Sequence, residues 1–264
     1  MRQFVFCGIL LATAATFSAC NNSKKAEEKE IVSEKLSNEG ALEAEIKAID
    51  EIAEKSGQIA SSLKYTKENG ASIVVHATLS ATNEILKVEE EYAEANGGNY
   101  GTNSFYLKNK IPFAVREYFE DRQDAANPKF VERMSYYDDK GKVIKTIEKR
   151  VNFEEELEAA SFVPVALHSV SIDRAMTVLD QKGEFETTFQ GFVAVQALNY
   201  LVVGKPGKDS YSSAMRVDFG DEFINTALAN QRAYMNKKCR VSFETIQDAS
   251  GFEYQMYTGG EWAE

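Results

Sequence analysis

Two histidines, one downstream cysteine, two runs of consecutive glutamates and twelve tyrosines are the side chains of this 264-residue sequence whose chemistry reaches beyond packing. A zinc centre needs His or Cys residues grouped at ligand spacing. His76 and His168 are in widely separated segments, so no metal site is expected. His76 lies in SIVVHATLS, out of phase with Ile73, Val75 and Leu79, and should point away from their apolar face. No Gly-x-Ser-x-Gly elbow, P-loop or dinucleotide fingerprint occurs. VVGKPGKDS (202–210) has glycines and lysines at the wrong spacing and reads as a loop. No residue is therefore assigned a catalytic role, and no cofactor is expected.

Carboxylates could in principle form a glycosidase-like acid pair. The dense runs are Glu89-Glu90-Glu91 and Glu154-Glu155-Glu156. Neighbours on a strand alternate faces, so only Glu89 and Glu91 can project together. Without an apolar pocket to perturb them, these runs read as solvated surface. Asp138-Asp139-Lys140-Gly141 has too few oxygen donors for a calcium loop and reads as a turn. Aromatics remain. Tyr118, Tyr136 and Tyr137 in one cluster, and Tyr200 and Tyr254 in another, are the candidate binding residues, because rings on alternating strand faces can present an aromatic-polar surface to protein or sugar.

The elements that position them follow from periodicity. Residues 39–64 carry Leu42, Ile46, Ile49, Ile52, Ala53, Ile59 and Leu63 at three- and four-residue spacing, which predicts an amphipathic helix weakened at Gly57. From 72 to 151 the period becomes two, with strands expected near 72–80, 84–94, 104–108, 112–120, 130–138 and 142–151. A hairpin turn is expected at 138–141, and a flexible loop at NGGNYGTN (96–103). This gives an antiparallel meander backed by the helix. Residues 152–182 read as a connection containing a short helix, EEELEAA.

A second strand-rich stretch, 183–264, comprises EFETTFQGFVAV, NYLVVG, SAMRVDF, CRVSFETI and FEYQMY. Between its third and fourth strands lies a helix over DEFINTALANQRAY, with Asp221 as N-cap. That element order, with Gly191 in mid-strand where a curled strand bends, resembles an OB-fold barrel. The fold class expected is α+β, a helix-backed antiparallel β-meander followed by a small OB-like β-barrel module. The modules expected are 39–160 and 183–264.

The N-terminus gives an address. Arg2 precedes an apolar run from Phe4 to Phe17, of signal-peptide length and too short to span a bilayer. Phe17-Ser18-Ala19-Cys20 resembles the lipobox of bacterial lipoproteins, with Phe17 standing where Leu is usual. The resemblance implies a type II signal peptide (1–19) and lipidation of Cys20. Diacylation anchors stably, at about 0.8 kcal/mol per buried methylene. The polar stretch 20–38 reads as a lipidated tether. Its Lys24-Lys25-Ala26-Glu27-Glu28 resembles the export signal behind the acylated cysteine in surface lipoproteins of Bacteroidetes. Loss of residues 1–19 removes Arg2 and makes the net charge of −11 one unit more negative. Such acidity argues against nucleic acid as a partner. With Cys7 removed and Cys20 acylated, Cys239 has no disulfide partner and is expected as a buried thiol.

The resulting expectation is an outer membrane lipoprotein, on the periplasmic face or the cell surface, held to the membrane by its lipid anchor. It would be a binding or assembly module for another envelope protein or a glycan. The alternatives are a hydrolase acting on an envelope polymer and a passive structural lipoprotein.

Overall fold

The computed structural model describes residues 40–55 and 58–263, so the expected signal peptide, Cys20 and the tether lie outside the described residues. The chain divides into two units, Met1–Glu45 and Ile46–Glu264. Only residues 40–45 of the first are described, and the account below concerns the second.

Strands dominate. They are β1 (Ile59–Ser61), β2 (Tyr65–Thr66), β3 (Ser72–Leu79), β4 (Ile85–Ala93), β5 (Tyr100–Lys108), β6 (Ile111–Asp121), β7 (Lys129–Tyr137), β8 (Val143–Val151), β9 (Val163–Pro164), β10 (Thr188–Val195), β11 (Leu198–Gly204), β12 (Ser212–Val217), β13 (Cys239–Gln247) and β14 (Glu253–Trp262). Among the described residues four α-helices accompany them: α1 (40–55), α2 (Asp173–Leu179), α3 (Glu222–Ala229) and α4 (Gln231–Tyr234). No helix among the described residues is long and apolar enough to cross a membrane.

All strands belong to one open mixed sheet, so the broad α+β class holds. From β3 to β9 it is an antiparallel meander, as the alternation predicts. The two-residue strand β2 joins it to the later strands, pairing with β3 and, through Thr66↔Ser212, with β12. The side-chain amide of Gln255 closes this seam. Its Oε1 accepts from Lys64 N at 2.9 Å, and its Nε2 donates to Ser62 O at 3.1 Å. Beyond the seam run β12, β11 and β10, while β14 touches β12 in parallel through Arg216↔Met256 and pairs with β13. A single bridge, Thr188↔Lys238, brings β10 to the approach of β13. One apolar core spans both expected modules, from Ile73, Val75 and Phe105 to Phe189, Leu201 and Met215.

Differences from the sequence expectation have local causes. Of the expected helix 39–64, residues 40–55 are helical, and 59–61 is a strand on β3, Ser61 opposite His76. Ile59 and Leu63 are four apart, a spacing that a helix stripe and a strand face share. The expected loop 96–103 is strand from Tyr100 onward. Gly101 sits against Phe119, where a Cβ would lie 2.2 Å from Tyr118 O, so close strand packing demands that glycine. EEELEAA forms only a 3-10 turn at Glu154–Glu156, and the real helix of the connection is α2, which buries Ala175 and Val178. β14 continues through Gly259 and Gly260 to Trp262. A Cβ at Gly260 would meet the Phe223 ring at 2.9 Å, so that glycine lets α3 lie close. The Asp221 N-cap is as expected, accepting from Ile224 N at 2.9 Å.

Candidate functional site

Tyr200 and Tyr254 come together on the face of β11, β12 and β14 turned away from the core. On β11, Leu201 and Val203 are buried while Tyr200 is half-buried on the opposite side. Tyr200 pairs directly with Arg216 of β12. The Arg216 guanidinium lies 5.4 Å from the Tyr254 ring centre, and its Nη1 donates to the Tyr254 hydroxyl at 3.3 Å. Asp218 Oδ1 accepts from Arg216 Nε at 2.7 Å. That hydrogen bond, larger than the opposing effect of burial, holds the guanidinium above its ordinary pKa. Phe252, exposed at the strand entrance, stacks on Tyr254 at 6.5 Å with planes 19° apart. Next to Tyr200 the apolar residues Val193 and Leu198 are exposed. The result is a platform of two tyrosines and a phenylalanine around one fixed guanidinium and one carboxylate. Such a surface can stack on a flat apolar face and hydrogen-bond to hydroxyls or carbonyls at its rim.

The other three tyrosine candidates are placed differently. Tyr136 and Tyr137 are buried, at 4% and 6% exposure, so burial rather than display accounts for them. The Tyr137 hydroxyl accepts from Val170 N at 3.1 Å and belongs to the main core. Tyr118 is half-buried at one wall of a groove of about 380 Å³ crossing β3 to β6, and it also borders an open hollow of about 610 Å³ at Glu154–Glu158. Its hydroxyl donates to Glu154 Oε1 at 2.5 Å. Burial first, and then that bond, push the phenol upward.

The glutamate run hides a feature invisible to local reading. Glu89 and Glu91 share a face as expected, but Glu90 is 1% exposed on the opposite face and pairs with Arg174 of α2. It begins a row of directly opposed residues crossing five strands: Glu90, Asn103, Glu117, Arg133 and Glu148. Arg133 reaches Glu148 at 2.7 Å and Glu117 at 3.4 Å, and Arg150 Nε reaches Glu148 at 2.9 Å. His168 Nε2 lies 3.3 Å from Glu117. Burial raises Glu148, but hydrogen bonds from Arg150 and Arg133 outweigh it and hold the carboxyl below its ordinary value. Every charge in the row is answered by another, which marks the row as a structural brace. Its only sequence signal is the alternation of charges at period two in β6 to β8.

Ser61, His76 and Glu89 lie side by side on β1, β3 and β4. Ser61 Oγ meets His76 Nδ1 at 2.8 Å, and Glu89 stands opposite His76. Yet Glu89 binds Lys87 at 2.7 Å and Ser104 at 3.1 Å, so its carboxylate is held by a lysine and a hydroxyl. The imidazole–hydroxyl contact ties β1 to β3. Asp50 of α1 clamps the same face, accepting from Tyr106 at 3.0 Å and pairing with Lys87 and Arg116, each at 3.2 Å. Cys239 is buried, with burial pushing its thiol up to about 12, so at neutral pH it stays a protonated packing group. No cluster of His, Cys, Asp and Glu suited to a metal occurs among the described residues. A scan against protein-family models, a search of curated proteins and a search of solved structures each returned no match.

Proposed function

We propose that this chain is an envelope-anchored lipoprotein of Bacteroidetes type, held in the outer membrane through lipid on Cys20. It acts as a binding module whose ligand is a glycan of the envelope or its surroundings. The observation that carries the reading is the platform itself: Tyr200 and Tyr254 flank Arg216, which Asp218 and Tyr254 hold in place. Aromatic rings match the apolar faces of sugar rings, and a fixed guanidinium–carboxylate pair matches their hydroxyls. An OB-like organisation of 183–264 supports the same reading. The pairing order β10–β11–β12–β14–β13, the parallel β12–β14 contact and the Thr188↔Lys238 bridge are in keeping with such a barrel, and OB-folds bind along their second and third strands. Tyr200 and Arg216 of the platform lie on that pair, β11 and β12, and Tyr254 adjoins them from β14.

The test is retention of the purified full-length protein on an array of bacterial envelope polysaccharides and other glycans. Retention on one glycan class that falls at least about tenfold in Tyr200→Ala/Tyr254→Ala is expected, from loss of two stacking contacts. Retention that survives the double variant would move the site elsewhere. No retention on any glycan would leave a protein partner as the reading. Protease shaving of intact cells, with a periplasmic control, tests the address: loss of the mature protein with the control intact places it at the surface.

A further inference from the structure

The groove across β3 to β6 lies on a different part of the sheet from the aromatic platform. Its floor is a row of opposed residues, Val74, Glu91, Thr102 and Tyr118, so it runs perpendicular to the strands. Three inter-strand spacings give it a length of about 14 Å, enough for about four extended residues. Tyr100, exposed, flanks the row, with Arg122 stacked 5.0 Å from its ring. Tyr118 also borders the hollow lined by Glu154, Glu155 and Glu158, all exposed.

The charges along this path are uneven. Lys64 stands at the β3 end, Glu91 in the middle, and three carboxylates at the far end beside the Tyr118 ring. A carboxylate-rimmed tyrosine is a receptor for a cation, by Coulomb attraction and by the ring quadrupole together. The hydroxyl of Thr102 and that of Ser72, which also lines the groove, can meet main-chain amides of a segment laid along it.

We propose that this groove binds an extended peptide segment of a partner protein bearing lysine or arginine, with the cationic side chain seated over Tyr118 among Glu154, Glu155 and Glu158. Charge complementarity selects the occupant: a ligand with a negative end at the acidic hollow is repelled, and the whole chain is acidic, with a net charge of −11. The groove is the length of a short strand segment, which favours a peptide over a single small cation.

The test is a fluorescence-anisotropy titration of the purified full-length protein with a labelled Ala-Lys-Ala-Lys-Ala peptide, and with Ala-Glu-Ala-Glu-Ala as its counterpart. The basic peptide is expected to bind and the acidic one not. Glu155→Gln/Glu158→Gln, at exposed positions that leave the fold intact, should weaken binding about tenfold, and Tyr118→Ala should do likewise. Glu244→Gln/Glu253→Gln removes the same charge from β13 and β14, and should change affinity less than about twofold. Equal weakening by the two glutamine pairs would show attraction to overall charge and overturn the site. So would equal binding of both peptides, or no binding of the basic one.

Discussion

The meander β4–β8 and the stretch β10–β14 with α3 share one apolar core but add different contacts to it. The first has a largely buried polar row, the charged Glu90, Glu117, Arg133 and Glu148 with the amide of Asn103, each opposed to the next across a strand gap. The second has a pile of rings. Trp262 lies 4.4 Å from Phe223 and from Tyr234, Phe189 meets it edge-on at 5.8 Å, and Phe223 stacks near Tyr257. Apolar burial of rings is non-directional and tolerant of pH. A charged row is directional and depends on every partner's ionisation. The comparison teaches that one sheet can join two sources of order at a seam as narrow as β2 and Gln255, and that the two should fail under different insults.

The largest effect is expected in the ring pile. Phe223→Ala removes a side chain 3% exposed and should cost about 3–5 kcal/mol in guanidinium melts, without changing the pH dependence of stability. Trp262 is the only tryptophan, so its fluorescence follows this region alone while far-UV circular dichroism follows all strands. Coincident melting curves from the two probes show the halves unfolding together, and separated curves show the seam yielding first.

Next comes the charged row. Arg133→Ala leaves Glu117 and Glu148 buried on either side of β7 without their shared cation, and should cost about 3 kcal/mol. Adding Glu117→Gln and Glu148→Gln to that variant should recover much of the loss. Failure to recover would mean that Arg133 acts by filling space.

A smaller effect separates the halves by pH. Glu148 and Glu89 are held below their ordinary value of 4.5 when folded. For Glu89, burial raises the carboxyl but the bonds from Lys87 outweigh it. A depressed folded pKa gives stability that is fully present above the unfolded value and lost as pH falls through the folded one. Stability in urea should therefore decline as pH drops below about 4.5, and Glu148→Gln should flatten that decline. An unchanged slope would remove Glu148 from the account. The smallest effect is at the platform, where Tyr200→Ala/Tyr254→Ala should alter stability by about 0.5 kcal/mol or less while abolishing ligand retention.

Much of this was legible in the sequence. Strand periodicity placed β3, β4, β6, β7 and β8 to within a residue or two, and Asp138 accepts from Lys140 N and Lys142 N in the turn its sequence predicts. Tyr200 and Tyr254 were legible as candidates, but their meeting at Arg216 was not, because 254 joins 200 only through the pairings of β12 with β11 and β14, which no local pattern encodes. Glu90 was misread for the same reason: its counter-charge, Arg174, is 84 residues away. α2 is two turns long with no side-chain N-cap, and Ser171, whose hydroxyl accepts from Asp173 N, was the one local sign of it. Glycines misled, since close packing requires Gly101 and Gly260 in strands, whereas Gly101 was read as loop and the last strand was read only as FEYQMY.

The charged row also bears on how the meander finds its pairing during folding. A one-residue slip between β7 and β8 would turn every side chain of a strand to the wrong face. A two-residue slip keeps the faces and would escape a purely apolar test. Here it would set Arg133 against Thr146 or Arg150 in place of Glu148, and a matching slip at β6 would strand Glu117 opposite Val131 or Ser135. A mispaired hairpin is then penalised by uncompensated charge once packing buries that face of the sheet. The brace doubles as a proofreading device, discriminating among registers that hydrophobicity alone would accept.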